Sequence, residues 1–309
     1  MSDQRVDLIT GSSSGFGRQV ALKLARRGDR VYATMREPEG KNRDTATELR
    51  AIADGENLDI RTIDLDVASD ASVEAAVEQI IAESNRIDVV VNNAGQMYLG
   101  IAEGFTPDQF SHQLEVNLVG VYRVTRSVLP HMREQNSGLI VNLTSIAGRI
   151  AFPFYALYCA SKWGLEGLSE CLRYELVPKG IDVVVVEPGP FQTDLLKKTQ
   201  STGKVQRFQG YPELDSLWTD FMAWFEPALT DPEMLKDPEA QVDPALVVDA
   251  IVGLIETPAG ERPFRTVVGL DIDTVRELNA TTEPFRLRPL AAFGAEHLAG
   301  LGAEASKTV

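Results

Sequence analysis

The chain has 309 residues, 44% of them hydrophobic, enough for one large domain or two small ones with a real core. Its formal net charge of −15 argues against the basic face that a nucleic-acid or anionic-membrane binder needs, so no nucleic-acid partner is expected. No signal peptide precedes the first apolar run and no stretch is long enough to span a bilayer, so a cytoplasmic protein without a membrane span is the expectation.

Short β-branched runs alternate with helix-periodic segments from the first residues onward. A strand near 5–10 runs into Thr10-Gly11-Ser12-Ser13-Ser14-Gly15-Phe16-Gly17, and a helix near 15–28 follows. A glycine turn opening a helix offers a pyrophosphate free backbone N–H groups and the positive end of the helix dipole. Gly11 would allow the tight turn, Gly15 the approach of phosphate and Gly17 close packing of the helix, with Ser13, Ser14 and Phe16 completing the cofactor-facing loop. The second strand, near 30–35, ends in Met35-Arg36-Glu37. Met35 stands where an acid would hold ribose hydroxyls and Arg36 follows, which favours a phosphorylated ribose and hence NADP(H). Glu37 would repel that phosphate or take the hydroxyls itself, which keeps NAD(H) as the alternative, and a solvated loop arginine is the plain reading of Arg36.

Further strands are predicted near 58–64, 87–92, 138–144, 181–186 and 265–268, and helices near 43–53, 70–84, 106–133, 155–177 and 243–256. Seven strands alternating with helices predict an α/β fold of the Rossmann type: one doubly wound, seven-stranded parallel sheet with helices on both faces. The expected organisation is a single domain over 1–280 and a C-terminal extension over 281–309, read as a frayed tail or a subunit contact. Within the domain, 191–241 lacks the repeating pattern and reads as a substrate lid.

The helix predicted near 155–177 carries Tyr158 and Lys162 four residues apart, which stacks a phenol and an ammonium on one face. Thirteen residues before Tyr158, the strand run Ile140-Val141-Asn142-Leu143-Thr144-Ser145 ends in hydroxyls. Taken with the glycine turn, these residues resemble the short-chain dehydrogenase/reductase family, in the branch with Thr-Gly-x-x-x-Gly-x-Gly and Tyr-x-x-x-Lys. The resemblance covers roughly residues 5–195. It matches Asp66-Val67 to the family's adenine contact, Asn92-Asn93-Ala94-Gly95 to the motif ending the fourth strand, and Asn117 to the fourth catalytic residue. Pro188-Gly189 and Thr193 match the segment that holds the nicotinamide. Within the family the chain looks most like reductases and dehydrogenases of steroid- or retinoid-like alcohols and ketones. The family often assembles as homodimers or homotetramers through the helices near 106–133 and 155–177.

Ketone reduction needs a proton donor poised near neutral pH, and free tyrosine is too weak an acid. An ammonium about 4 Å from the phenolate at an effective dielectric of 20 is worth about 4 kcal/mol, or roughly three pK units. Lys162 is therefore expected to depress Tyr158, the general acid in reduction and base in oxidation. The resemblance also implies that Lys162 bonds the nicotinamide ribose. Ser145 would polarise the substrate carbonyl, and Asn117 would order a water joining Lys162 to solvent. Phe154, Phe191, Trp218 and Phe221, with Ser145 and Tyr158, are the expected walls of an apolar pocket for a small carbonyl or alcohol substrate. Trp218, Phe221 and Phe225 also fit a short amphipathic helix packed on the body.

The expected function is an NADP(H)-dependent oxidoreductase interconverting a bulky, apolar secondary alcohol and its ketone, or a retinoid-type alcohol and aldehyde. An NAD(H)-dependent dehydrogenase on the same scaffold and a catalytically silent dinucleotide sensor are the alternatives. Three scattered histidines, His112, His131 and His297, suggest no metal site. Cys159 and Cys171, about 18 Å apart along one helix, cannot pair.

Overall fold

The computed structural model of the protein describes residues 4–195, 199–201, 210–237, 241–270 and 272–302. Its strands in chain order are β1 (Val6–Ile9), β2 (Arg30–Met35), β3 (Ile60–Asp64), β4 (Val89–Asn92), β5 (Tyr98–Leu99), β6 (Gly138–Leu143), β7 (Ile181–Pro188), β8 (Gln200–Ser201) and β9 (Arg265–Val268). Seven of them form one parallel sheet in the order β3-β2-β1-β4-β6-β7-β9, and β5 pairs with β8 beside it. The helices are α1 (Gly15–Arg26), α2 (Arg43–Glu56), α3 (Asp70–Ser84), α4 (Pro107–Leu114), α5 (Gly120–Gln135), α6 (Ala156–Leu176), α7 (Glu213–Thr230), α8 (Ala245–Glu256) and α9 (Asp273–Ala292).

Both faces of the sheet are buried, and the alternation along each strand shares its side chains between two cores. Val89 and Val91 pack with Val20 and Leu24 of α1 and with Val247 and Ile251 of α8. Val90 points the other way, among Val73 and Val77 of α3 and Val124 and Val128 of α5. Strand order reverses between β1 and β4, so their loops diverge and leave a crevice at the carboxyl ends of the strands. Helices α2, α3 and α5 stop at asparagines in the left-handed region, Asn57, Asn85 and Asn136.

Three segments depart from the sequence pattern. The helix expected over 106–133 is two helices: α4 starts at a Thr106/Gln109 capping box, and a π-helical turn at Glu115–Val119 separates it from α5. The pattern-poor stretch after β7 contains β8 and the 18-residue α7. Helix α9 runs unbroken across the 280/281 boundary despite Pro284 and Pro289, with Val275 and Leu290 buried.

Candidate active site

The glycine turn lies in the crevice and its residues are fixed by packing. Gly11 is in the left-handed region (φ +70°), and a Cβ there would stand 2.8 Å from the Ala94 Cα. Gly15 also has positive φ (+56°), which favours glycine. A Cβ on Gly17 would fall 2.4 Å from Asn93 Nδ2 and 2.6 Å from the Gly11 carbonyl, so Gly17 lets α1 close on the turn and on the end of β4. Asn93 locks these parts together. Its Nδ2 donates to the Thr10 and Gly11 carbonyls at 2.8 and 3.1 Å, while the Asn93 and Ala94 amides each donate to Thr10 Oγ1 at 3.0 Å. The first turn of α1 carries no acidic side chain, which leaves the positive end of its dipole available to an anion.

One cavity of about 500 Å³ joins most of the expected site residues. Gly11, Ser13, Ser14, Gly15, Phe16, Arg36, Asp66, Val67, Asn93, Ala94 and Gly95 border it. So do Asn117, Ser145, Tyr158, Lys162, Pro188, Gly189, Phe191, Thr193 and Phe221. Gly17, Phe154 and Trp218 do not. Phe154 and Trp218 stack edge to face at 4.9 Å behind the wall, in an aromatic cluster that includes Tyr155, Phe221 and Phe225. Asp66 Oδ1 accepts from the Ala68 amide at 3.0 Å, which shapes the turn after β3.

The wall also contains residues that motif reading passed over. Lys41 and Asn42 join Met35 and Arg36 beside the end of β2, and Gln96 lies at the reacting end, where Phe152, Tyr155 and Phe225, aromatics that the sequence also places near the pocket, line the wall. Glu37 is not on the wall. It is left-handed (φ 49°) and accepts from Lys41 Nζ at 3.0 Å, while Asn42 Nδ2 holds the Arg36 carbonyl at 2.5 Å. A cation five residues past Arg36 was the only available signal for Lys41.

The four expected catalytic residues converge from three places: the π-helical turn, the end of β6 and α6. Asn117, in the π-helical turn, donates to the Gln96 carbonyl at 2.9 Å and to Ser161 Oγ at 3.2 Å, and accepts from the Gln96 amide at 2.9 Å. These bonds fix the loop after β4 to α6. Ser145 follows β6; its Oγ accepts from the Ala147 amide at 3.1 Å and donates to the Pro188 carbonyl at 3.4 Å.

Tyr158 and Lys162 are both buried on α6. The expectation that Lys162 depresses the phenol is not met by this arrangement. Its ammonium donates to the Leu143 carbonyl at 2.7 Å and stands 5.7 Å from the centre of the Tyr158 ring. Burial pushes Tyr158 up to about 12, opposed by a hydrogen bond with Ser145. The same burial brings Lys162 down to about 8, opposed by the Glu166 carboxylate one turn along α6. Burial also raises Tyr155.

A nicotinamide dinucleotide fits these residues: the glycine turn supplies a cradle that a Cβ would obstruct, and the same cavity reaches the hydroxyls of Ser145 and Tyr158. Among the described residues no group of three or more His, Cys, Asp or Glu is placed to hold a metal ion, and no helix is long and apolar enough to cross a membrane.

Residues 5–204 match the family described as short chain dehydrogenase. The chain is 40% identical over 190 residues to a 3-ketodihydrosphingosine reductase of Bacteroides thetaiotaomicron, covering 61% of this chain and 65% of that protein. It is 38% identical over 196 residues to human 17-beta-hydroxysteroid dehydrogenase type 1, covering 62% and 58%. The matched stretch therefore spans less than two thirds of these relatives' length. An actinorhodin polyketide ketoreductase solved with NADPH superposes with a TM-score of 0.69 at 29% identity, covering 87% of this chain and 97% of that one.

Proposed function

The chain belongs to the short-chain dehydrogenase family, and from that premise we propose an NADP(H)-dependent enzyme that interconverts a bulky, apolar secondary alcohol and its ketone, or a retinoid-type alcohol and aldehyde. The observation that carries the proposal is a single cavity bordered by Arg36 and Lys41, by Ser145, Tyr158 and Lys162, and by Phe152, Phe221 and Phe225. Arg36 and Lys41 beside the end of β2 suit a ribose phosphate, toward which the Lys41 ammonium would turn from its contact with Glu37. The two relatives are by name a ketone reductase and a hydroxysteroid dehydrogenase, which supports a large apolar substrate.

When bound, the nicotinamide supplies or accepts the hydride. Pro188, Gly189 and Thr193 would hold the nicotinamide end, and Asp66 and Val67 the adenine. The Ser145 hydroxyl can turn from its long bond to Pro188 toward the substrate oxygen and polarise it. Tyr158, protonated at neutral pH, delivers its phenolic proton to that oxygen in reduction and recovers it in oxidation. Lys162, charged below about pH 8, would hold the ribose hydroxyls. Asn117 keeps the π-helical turn against α6, with a water between it and Lys162 as the route to solvent.

Residues 191–241 act as the substrate cover, with α7 as its described body. Exposed Tyr122 on α5 and Trp163 on α6 support assembly as a homodimer or homotetramer through those helices. A reducing cytoplasm is the proposed location, supported by the exposed free thiol of Cys171.

The test is turnover of purified protein with NADPH and NADH against a panel of aromatic, alicyclic and steroid-like ketones and alcohols. Faster turnover with NADPH on large apolar ketones is expected. Cofactor binding with no turnover anywhere in the panel would overturn the proposal in favour of a dinucleotide sensor.

A further inference from the structure

Helix α9 lies outside the family-matched residues 5–204, yet one of its side chains touches two segments that build the reacting centre. Asn279 Oδ1 accepts from Arg149 Nε at 2.8 Å, and Asn279 Nδ2 donates to Glu187 Oε2 at 2.5 Å. Arg149 ends the short 3₁₀ turn Ile146–Gly148 that begins at Ser145, and its Nη2 also donates to Thr282 Oγ1 at 3.0 Å. Glu187, fully buried near the end of β7, directly precedes Pro188, whose carbonyl accepts from Ser145 Oγ.

The chemistry of this contact is specific. A side-chain amide can accept from a guanidinium through its oxygen and donate to a carboxylate through its nitrogen, as Asn279 does. Arg149 and Glu187 are 3.9 Å apart, beyond hydrogen-bonding distance, so the amide closes a three-membered ring that neither charge completes alone. Arg265 Nε stands 3.5 Å from the other Glu187 oxygen but is shared with Glu166, and burial raises Glu187 to about 8.

We propose that Asn279 is a positioning residue: from the C-terminal helix it holds the Ser145 turn in register with the Pro188-Gly189 segment, and so sets the geometry of the catalytic hydroxyl. The inference rests on the oxidoreductase reading above. It makes α9 part of the catalytic apparatus rather than a tail packed on the sheet edge.

The test uses the full chain with Asn279→Ala, Asn279→Asp and the double variant Asn279→Asp/Glu187→Gln. Asn279→Ala is expected to lower kcat by roughly 10-fold with substrate KM within about twofold, because misplacement of a reacting group acts on the transition state. Asn279→Asp is expected to do the same above about pH 8, where Glu187 is ionised and two carboxylates stand face to face. In the double variant the introduced carboxylate accepts from Arg149 and from the amide introduced at 187, and kcat is expected to return to within about threefold of wild type. Hydrogen exchange supplies a readout independent of turnover. The amides of Ala147, Gly148 and Gly189, bonded to Ser145 Oγ, Ser145 O and Val268 O, are expected to exchange roughly 10-fold faster in the single variants and to recover in the double one.

A melting temperature lowered with kcat per folded molecule unchanged would overturn the inference and leave Asn279 a packing residue. A double variant no better than Asn279→Asp would overturn it equally. If the single variants do not fold, Thr282→Val, which removes the second Arg149 contact together with the hydroxyl's bonds to the Leu278 and Asn279 carbonyls within α9, must show the same fall in kcat at smaller size, and an unchanged kcat counts against the inference. If the wild type turns over nothing, the functional proposal fails separately and the exchange pattern alone decides the role of Asn279.

Discussion

Around Gly11 the cavity wall is backbone, whereas around Phe221 it is side chain. At the glycine turn every position answers to a geometric demand: positive φ at Gly11 and Gly15, and no room for a Cβ at Gly11 or Gly17. Such demands leave few substitutes, so they surface in the sequence as fixed residues at fixed spacing. Near α7 the demand is only for apolar volume, met by a mutually packed set in which Phe221 and Phe225 stack at 5.2 Å and Phe221 meets Tyr155 at 5.8 Å. Many aromatic arrangements fill such a volume equally well. A cavity of this kind is therefore legible from its cofactor side and nearly silent about its substrate.

The comparison is tested hardest where the two walls meet. Tyr158→Phe removes one hydroxyl from a buried helix face and leaves both walls in place. Turnover is expected to fall by at least ~10²-fold, the lower range for a positioned acid or base, with cofactor affinity nearly unchanged. Full activity in this variant on every accepted alcohol would remove the proton-transfer role.

A smaller effect isolates the backbone-built side. Arg36→Ala and Lys41→Ala should each weaken NADP(H) by about 10-fold or more, the range for a lost charge-assisted hydrogen bond, and leave NAD(H) within about twofold. Titration of both cofactors decides this. Equal losses for the two cofactors would mean that the cations shape the loop and do not read the phosphate.

What the sequence disclosed follows the same division. The seven strands were legible because β-branched runs alternate with helical periodicity, and Tyr158 with Lys162 because a four-residue step stacks them on one face. The π-helical turn was hidden, since it goes with Asn117 bonding to Gln96, a residue 21 positions away. Pro284 and Pro289 masked α9 by breaking its periodicity. The acidity of Tyr158 was misjudged for a related reason. The pairwise arithmetic assumed an ammonium facing the phenol, while in the fold that ammonium answers to the Leu143 carbonyl and burial dominates.

On the side-chain-built wall, Phe221→Ala should raise KM for large apolar substrates by up to ~10-fold and leave cofactor affinity alone, since it deletes a surface bordering the cavity. Trp218→Ala acts one layer back, through Phe221, whose ring lies 6.3 Å away, and should show the same pattern at smaller size. Steady-state kinetics on one large and one small ketone separates the cases. A loss that is equal for both ketones, or that falls on cofactor binding, would show α7 to be a structural brace rather than a substrate wall.

The smallest expected effect concerns the charge on Lys162, which serves both walls. Its pKa, about 8 in the folded protein, lies below the ordinary lysine value because burial penalises the ammonium, and Glu166 partly restores it. A group depressed in this way costs stability while charged, so relative to Lys162→Met the wild type should gain stability as pH rises from about 8 to 10.5. Cofactor affinity should run the other way, weakening as pH rises through about 8 and the ammonium is lost. Glu166→Gln removes the carboxylate that favours the cation, so the break in log Kd against pH should move to lower pH, and at pH 8 the variant should bind cofactor a few-fold more weakly. Arg265 bridges Glu166 and Glu170 at 3.0 and 2.8 Å, so Glu170→Gln is the control: it leaves Arg265 on Glu166 and should move the break little. A break unmoved in Glu166→Gln would mean that Lys162 is tuned by burial alone, and that the charge serving both walls is set without help from its neighbour on α6.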